Sequence, residues 1–398
     1  MGHGHVRVGW IERSFPGKRV YSFSNQQEIV GNTLFNAPNN DTLSGCEFCR
    51  YPCQAPKDSG QRCKISSYLE QWHDDIKGKP EDFDKKYYLQ HDGEFEISVV
   101  SLGGRQGQFW KEENQDEFFV LPIHVGDEAI PHVIIGIFDG HGENGRIASK
   151  IAKNAFVTKL ESFINLQGGN LLSERSINES LIQVLFEHTT RVVDSYPCNF
   201  DKSGTTAVVC IVSPEGVTTG WIGDSRAIVG LTGSAAQVMI PLTKDHKPDP
   251  LRCPDEAVRV TKEGGRIDRL TIDNQGRPAG PYRIFLKDRW VPGLAVSRSF
   301  GDHIAKDAGV ISSPEITSFN LKSVFSGNAE GSRQIMIVGT DGLWEWIDNQ
   351  DAIDLAWSMN SAEAAAHALA EAAQKNWALY CQGQACDDIT VGVVRFPG

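Results

Sequence analysis

Nowhere in its 398 residues does this chain carry the run of roughly 18 apolar residues that a helix needs to cross a bilayer. Its opening stretch, MGHGHVRVGWIERSFPGKRV, likewise lacks the apolar centre of a secretory signal. No transmembrane segment is expected, and the chain reads as cytoplasmic or nuclear. Gly2 follows the initiator, but the Ser or Thr that an acylation signal wants at position six is Val6, so N-myristoylation at Gly2 is not expected. Basic charge is also in short supply. Thirty-nine Lys and Arg against 51 Asp and Glu leave a formal net charge of -12, which repels phosphate backbones and anionic lipid and argues against a nucleic-acid partner. There is no internal repeat, and a monomer is expected. What the chain does have is 40% hydrophobic residues, enough for a full core in one large domain with an extension or in two ordinary domains.

Nine cysteines do not pair off neatly. Cys198, Cys210, Cys253, Cys381 and Cys386 are scattered and read as free thiols of a reducing compartment. Cys46, Cys49, Cys53 and Cys63 are clustered as C-x2-C-x3-C-x9-C in a segment rich in Gly, Pro and Asn. Four thiolates around zinc would explain that spacing, and a surface loop with free thiols is the alternative.

Residues 1–93 are polar and turn-rich, end near the charge run DDIKGKPEDFDKK, and read as an N-terminal extension. From residue 94 onward strand-like runs take over: FEISVVSL at 95–102, EFFVLPI, and HVIIGIF at 132–138. Apolar Ile147, Ile151, Ala155, Phe156, Leu160 and Phe163 then predict a long amphipathic helix, and Ile177, Leu181, Leu185 and Val192 a second. A meander follows through TTAVVCIV, VTTGWIG, SRAIVGL and QVMIPL. The charged, Pro- and Gly-rich stretch around 243–292 reads as a short helix and a mobile flap. EITSFNL, RQIMIVGT, two helices within 350–378 and ITVGVVRF complete the chain. Strand blocks interrupted by helix pairs predict an α+β fold, a four-layer α-β-β-α sandwich with two central antiparallel sheets flanked by helix pairs.

Asp139, Asp224, Asp341 and Asp387 each sit where one of these runs meets a turn. Carboxylates at the ends of buried strands are costly to desolvate unless cations compensate them, and several together call for a divalent metal. In Asp139-Gly140-His141-Gly142 two glycines let the backbone pass close to an ion, so that the Gly140 carbonyl can be a ligand beside Asp139. An all-oxygen set selects magnesium or manganese over zinc, and a pair of such ions suits displacement at phosphorus. A nucleophilic cysteine would instead need a C-x5-R phosphate cradle, and none of the nine is expected to begin one.

DGHGENG (139–145), SGTTAVV (203–209), GDSRAIV (223–229), GLAVSRSFGD (293–302), TDGLWEWI (340–347) and DDITVGVV (387–394) together resemble the metal-dependent type 2C serine/threonine protein phosphatases, in that family's order. The resemblance implies a catalytic domain over 94–398, the α-β-β-α sandwich, two Mg2+ or Mn2+ ions and phosphoprotein substrates. Residue by residue it implies that Asp139 bridges the ions, that Gly140 lends its carbonyl, and that Asp341 and Asp387 complete one shell. Asp224 with Asp341 would hold a weaker third ion. Asn114-Gln115-Asp116 resembles the family's acidic pair, with Asp116 as a metal ligand and Gln115 in place of the first acid. The family's phosphate-gripping arginine is Lys111 here, and Arg105 is the other candidate for that role.

The implied mechanism is attack by a water bridging the two ions, with His141 as the acid that protonates the departing seryl or threonyl oxygen. Capping of the following helix is the other role open to His141. Two rival readings remain: a pseudophosphatase that keeps the sandwich as an interaction module, and a two-metal nuclease. The retained carboxylates weigh against the first, and the overall acidity against the second.

Overall fold

Ile335 and Ile337 pack into one apolar cluster and their neighbours Met336 and Val338 into another, so this strand lies between two apolar layers. The same double burial recurs along the chain and dictates a layered fold. The computed structural model describes residues 86–91, 95–106, 109–111, 113–125, 130–167, 175–232, 237–272, 278–321 and 333–397. Gly2 and the cysteines at 46, 49, 53 and 63, with the zinc expected of them, lie outside the described residues.

In chain order the principal elements are β1 (Lys86–His91), β2 (Glu96–Leu102), β3 (Asp116–Val125) and β4 (Ile130–His141). Two helices follow, α1 (Gly145–Gln167) and α2 (Arg175–Ser195), then β5 (Ala207–Ser213), β6 (Gly216–Ile222), β7 (Arg226–Thr232) and β8 (Gln237–Pro241). The excursion after β8 holds α3 (Pro254–Lys262), β9 (Arg266–Asp268), β10 (Arg283–Phe285) and β11 (Pro292–Leu294). The chain ends through β12 (Glu315–Asn320), β13 (Arg333–Gly339), α4 (Asn349–Ser358), α5 (Ala362–Tyr380) and β14 (Ile389–Arg395).

One antiparallel sheet runs β1-β2-β14-β13-β7-β8, and the other pairs β3 with β4, β4 with β5, β5 with β6 and β6 with β12. Val99, Val229, Val338 and Val394 of the first sheet meet Val133, Ile135, Ile137 and Val208 of the second in the layer between the sheets. The outer face of the second sheet packs against Phe156 and Leu160 of α1 and Ile182 and Phe186 of α2. The outer face of the first packs against Ile353 of α4 and the alanine-rich side of α5. Three apolar layers of this kind accord with the expected sandwich of helix pair, sheet, sheet and helix pair.

Three local expectations need correction. Strand β1 lies within the stretch assigned to the extension, yet it pairs with β2 from Lys86↔Ser101 to His91↔Glu96; its first residue, Lys86, is also the last of the charge run, which obscures where the strand begins. In α1 the inward stripe is Ala148, Ala152, Phe156, Leu160 and Ile164, while Ile147 is 40% exposed. Small alanines let the helix approach the sheet, a preference that hydrophobicity alone does not signal. In α2 the buried residue is Val193 and not Val192.

Candidate active site

The register of β3 on β4 sets Asp116 directly opposite Asp139, and opposed residues of an antiparallel pair share a face. Two carboxylates are thereby brought side by side by backbone pairing alone. The turn after β4 is pinned as well: the Gly140 N–H donates to the Gln115 carbonyl at 3.2 Å. A Cβ at Gly140 would stand 2.4 Å from the Gly145 carbonyl oxygen, so no larger residue fits there.

The first sheet delivers its acids from turns. Asp341 opens a single helical turn after β13, and Asp387 and Asp388 immediately precede β14. Thr340 and Thr390, beside these acids, donate their hydroxyls to Asp116 Oδ2 at 3.1 and 2.7 Å and so tie the two sheets together at this rim. Asp224, 4% exposed, follows β6 in the Gly223–Ser225 turn.

These acids sense one another. Burial, then repulsion by Asp388, pushes Asp116 up to about 7. Asp139 is raised well above the usual carboxylate range by burial and by Asp116, Asp341, Asp387 and Asp224. Burial, Asp224 and Asp387 do the same to Asp341. Two lysines offset part of the repulsion. The Lys111 ammonium bonds Asp387 and lies 3.3 Å from Asp388 Oδ2, and Lys247 Nζ lies 3.0 Å from Asp224 Oδ2 and 3.7 Å from Glu345 Oε2. Burial disfavours both ammonium groups, but the surrounding carboxylates outweigh it and raise the pKa of each. With the lysines so placed, no three His, Cys, Asp or Glu side chains among the described residues already stand as a closed metal set. The donor chemistry nevertheless fits a hard cation: buried carboxylates that raise one another's pKa values, as at Asp116, Asp139 and Asp341, are what a divalent ion would relieve.

His141 belongs to the same rim. Its Nε2 lies 2.6 Å from Asp302 Oδ2, and although burial opposes the imidazolium, the Asp302 charge and hydrogen bond raise its pKa above the ordinary value. Asp302 has left-handed backbone, φ 52°, and also accepts from Ser299 Oγ at 2.6 Å.

Of the residues singled out from sequence, Asp116, Asp139, Gly140, His141, Asp224, Asp341 and Asp387 line this rim. Lys111 reaches it, whereas Arg105 is 4% exposed and pairs across strands with Cys386, beneath it. Gln115 braces the turn: its side-chain amide donates to the Gly142 carbonyl at 2.9 Å. Asp302, Asp388 and Lys247 were missed. Asp302 ends the run GLAVSRSFGD and Asp388 doubles Asp387, which were the available signals. Contrary to expectation, one C-x5-R spacing exists, Cys253 to Arg259. It is no phosphate cradle, because the Cys253 thiol donates to the Asp245 carbonyl and is pushed up by burial, and Arg259 forks onto Glu256.

The family model described as Protein phosphatase 2C matches residues 100–388, the stretch that carries all the acids of the rim. Probable protein phosphatase 2C 72 of Arabidopsis thaliana is 32% identical over 263 residues, 65% of this chain and 75% of that protein. Probable protein phosphatase 2C 61 of the same plant is 31% identical over 301 residues, 74% of this chain and 82% of that protein. Among solved structures, the serine-threonine phosphatase 2C from Toxoplasma gondii shares the fold, with a TM-score of 0.62 over 79% of this chain and 99% of that one at 22% identity.

Proposed function

This chain belongs to the protein phosphatase 2C family, and from that premise we propose that the acidic rim is the metal centre at which it hydrolyses phosphoserine and phosphothreonine in other proteins. The observation that carries the assignment is the Asp116–Asp139 cross-strand pair with Asp341 and Asp387 in electrostatic contact. Asp116, Asp139, Asp341, Asp387 and the Gly140 carbonyl would hold two Mg2+ or Mn2+ ions. Asp224 with Asp341 would serve a weaker third, for which the Lys247 ammonium competes. Ions bound there would neutralise a phosphoryl group and acidify water.

The chain's own side chains supply the rest. Lys111 places a point charge beside Asp387 that can meet a phosphoryl oxygen, without the bidentate fork of an arginine. His141 holds a proton for the leaving seryl or threonyl oxygen. With Nε2 committed to Asp302, Nδ1 is the nitrogen left to deliver it. Asp302 is the positioning residue that keeps the imidazolium charged and aimed.

The test is release of phosphate from a phosphothreonine peptide by the purified full chain, dependent on manganese or magnesium and lost with a chelator. Failure of metal to support turnover, with manganese also failing to bind by calorimetry, would favour the interaction-module reading instead.

A further inference from the structure

Between Arg266 and Trp290 the chain runs against its own charge. Six basic and three acidic residues occur there in a protein of formal net charge -12. Of these, Arg266, Asp268, Arg269, Arg283, Lys287, Asp288 and Arg289 are among the described residues. Strands β9, β10 and β11 form a small sheet that stands on α3 over a separate core of Val260, Ile284, Ala305, Ala308 and Val310. In the connection between β10 and β11, Lys287, Asp288, Arg289 and Trp290 are exposed, Trp290 at 59%.

Planar cations cover these aromatics. The Arg266 guanidinium lies 4.0 Å from the Trp290 ring centroid, and Arg269 lies 4.0 Å from that of Tyr282. Stacking holds the guanidinium groups in place, so that Arg269 stands preorganised to meet an anion, while Arg266, engaged by a carboxylate, fixes the Trp290 ring. Of the acidic residues nearby, Asp268 is already paired with Arg266 at 2.9 Å.

The excursion also starts and ends at the rim. Lys247 at its start bonds Asp224, and Asp302 just beyond its end bonds His141. A peptide whose phosphorylated side chain lies at the rim can extend from there along the excursion that leaves and rejoins it.

We propose that the Arg266–Trp290 face docks a carboxylate-rich segment flanking the scissile phosphate in the protein substrate. The proposal rests on the phosphatase reading of the rim and adds a substrate class to it. An acidic substrate is repelled by most of this molecule, and a local positive face both steers it and sets its direction across the site.

The test compares phosphothreonine peptides that differ only in Glu or Gln at the flanking positions, on the full chain and on Lys287→Gln/Arg289→Gln and Trp290→Ala variants. The wild type is expected to favour the Glu peptide in kcat/KM by about fivefold, with the preference fading at high salt. The double variant should lose the preference, while turnover of p-nitrophenyl phosphate, which has no flanks, stays unchanged. No preference in the wild type, or one untouched by both variants, overturns docking. Anisotropy of the labelled, unphosphorylated Glu peptide reads docking without catalysis. Binding that weakens in the double variant supports the face even if the rim proves inactive, and absence of p-nitrophenyl phosphate turnover would sink the rim assignment alone.

Discussion

Glu256 and Asp139 are both acids in ionic clusters of this protein, yet their pKa values move in opposite directions. Burial raises both. At the root of the flap, hydrogen bonds from Arg259, Arg298 and Ser297 outweigh it and hold Glu256 well below the usual carboxylate range. At the rim, the neighbours of Asp139 are more carboxylates, and they push it further up. Glu256 is 7% and Arg298 9% exposed, with Arg298 Nη2 at 2.8 Å from Glu256 Oε1 and also 2.8 Å from Glu315 Oε1. One cluster is electrically satisfied and serves the fold. The other is left in deficit of positive charge, and that deficit is what a divalent ion would offset.

The comparison breaks first, and by the largest amount, at Asp139. Asp139→Asn should lower phosphopeptide turnover by about three orders of magnitude, since on the proposed reading the same side chain would hold both ions. Its unfolding midpoint in chelator should be unchanged or higher, because a repelled charge has gone. A lowered midpoint would show that the rim is as structurally satisfied as the flap root. Glu256→Gln should do the reverse: a loss of about 3 kcal/mol by denaturant unfolding, with p-nitrophenyl phosphate turnover kept at low temperature. The pH dependence carries the same sign. Because the folded pKa of Glu256 is depressed, its stabilisation is present above the unfolded carboxylate value of about 4.3 and is lost as pH falls toward the folded one. The variant's unfolding free energy should therefore fall less steeply on acidification than the wild type's.

Asp302 sharpens the contrast, since it satisfies a charge in order to use it. Asp302→Asn should slow phosphothreonine peptide hydrolysis by about a hundredfold and p-nitrophenyl phosphate hydrolysis far less, because a nitrophenolate departs without a proton. Equal losses on both substrates would assign Asp302 to structure and not to His141.

Legibility followed the same divide. The rim's aspartates could be read because each interrupts an apolar run at a turn, and a lone acid in that position is costly enough to be conspicuous. The partners that tune them could not. Asp302 lies 161 residues from His141 and meets it only through a left-handed turn. Lys247 sits in a stretch whose charge pattern says only that it is exposed loop, and Gln115 shows its chemistry but not that its amide is spent on Gly142. Cys253 and Arg259 show the converse, a spacing with a meaning in other proteins that local hydrogen bonds annul here. The strand runs and the two packed sheets followed from apolar runs bounded by turns, while the order of the strands within each sheet did not. The face of α1 did not, because alanine packs inward without announcing itself in hydropathy.

The smallest expected effect bears most directly on how the rim's deficit is regulated. Thr390 Oγ1 donates to Asp116 Oδ2 at 2.7 Å, and Thr340 Oγ1 donates to the same oxygen at 3.1 Å. The Thr390 bond favours the carboxylate and offsets part of the burial and repulsion that raise Asp116 to about 7. Thr390→Val keeps the shape and removes that donor, so protons should compete better with manganese at Asp116. Calorimetry should show affinity about tenfold weaker, with the gap widening below neutral pH, and unfolding should show a loss of about 1 kcal/mol. Thr219→Val is the matched control: Thr219 is fully buried, its hydroxyl faces the Cys210 sulfur at 3.5 Å, and it lies on β6 away from the acids. If Thr219→Val weakened manganese binding as much as Thr390→Val, the effect would be one of general packing, and the threonine pair would have no part in setting the charge of the rim.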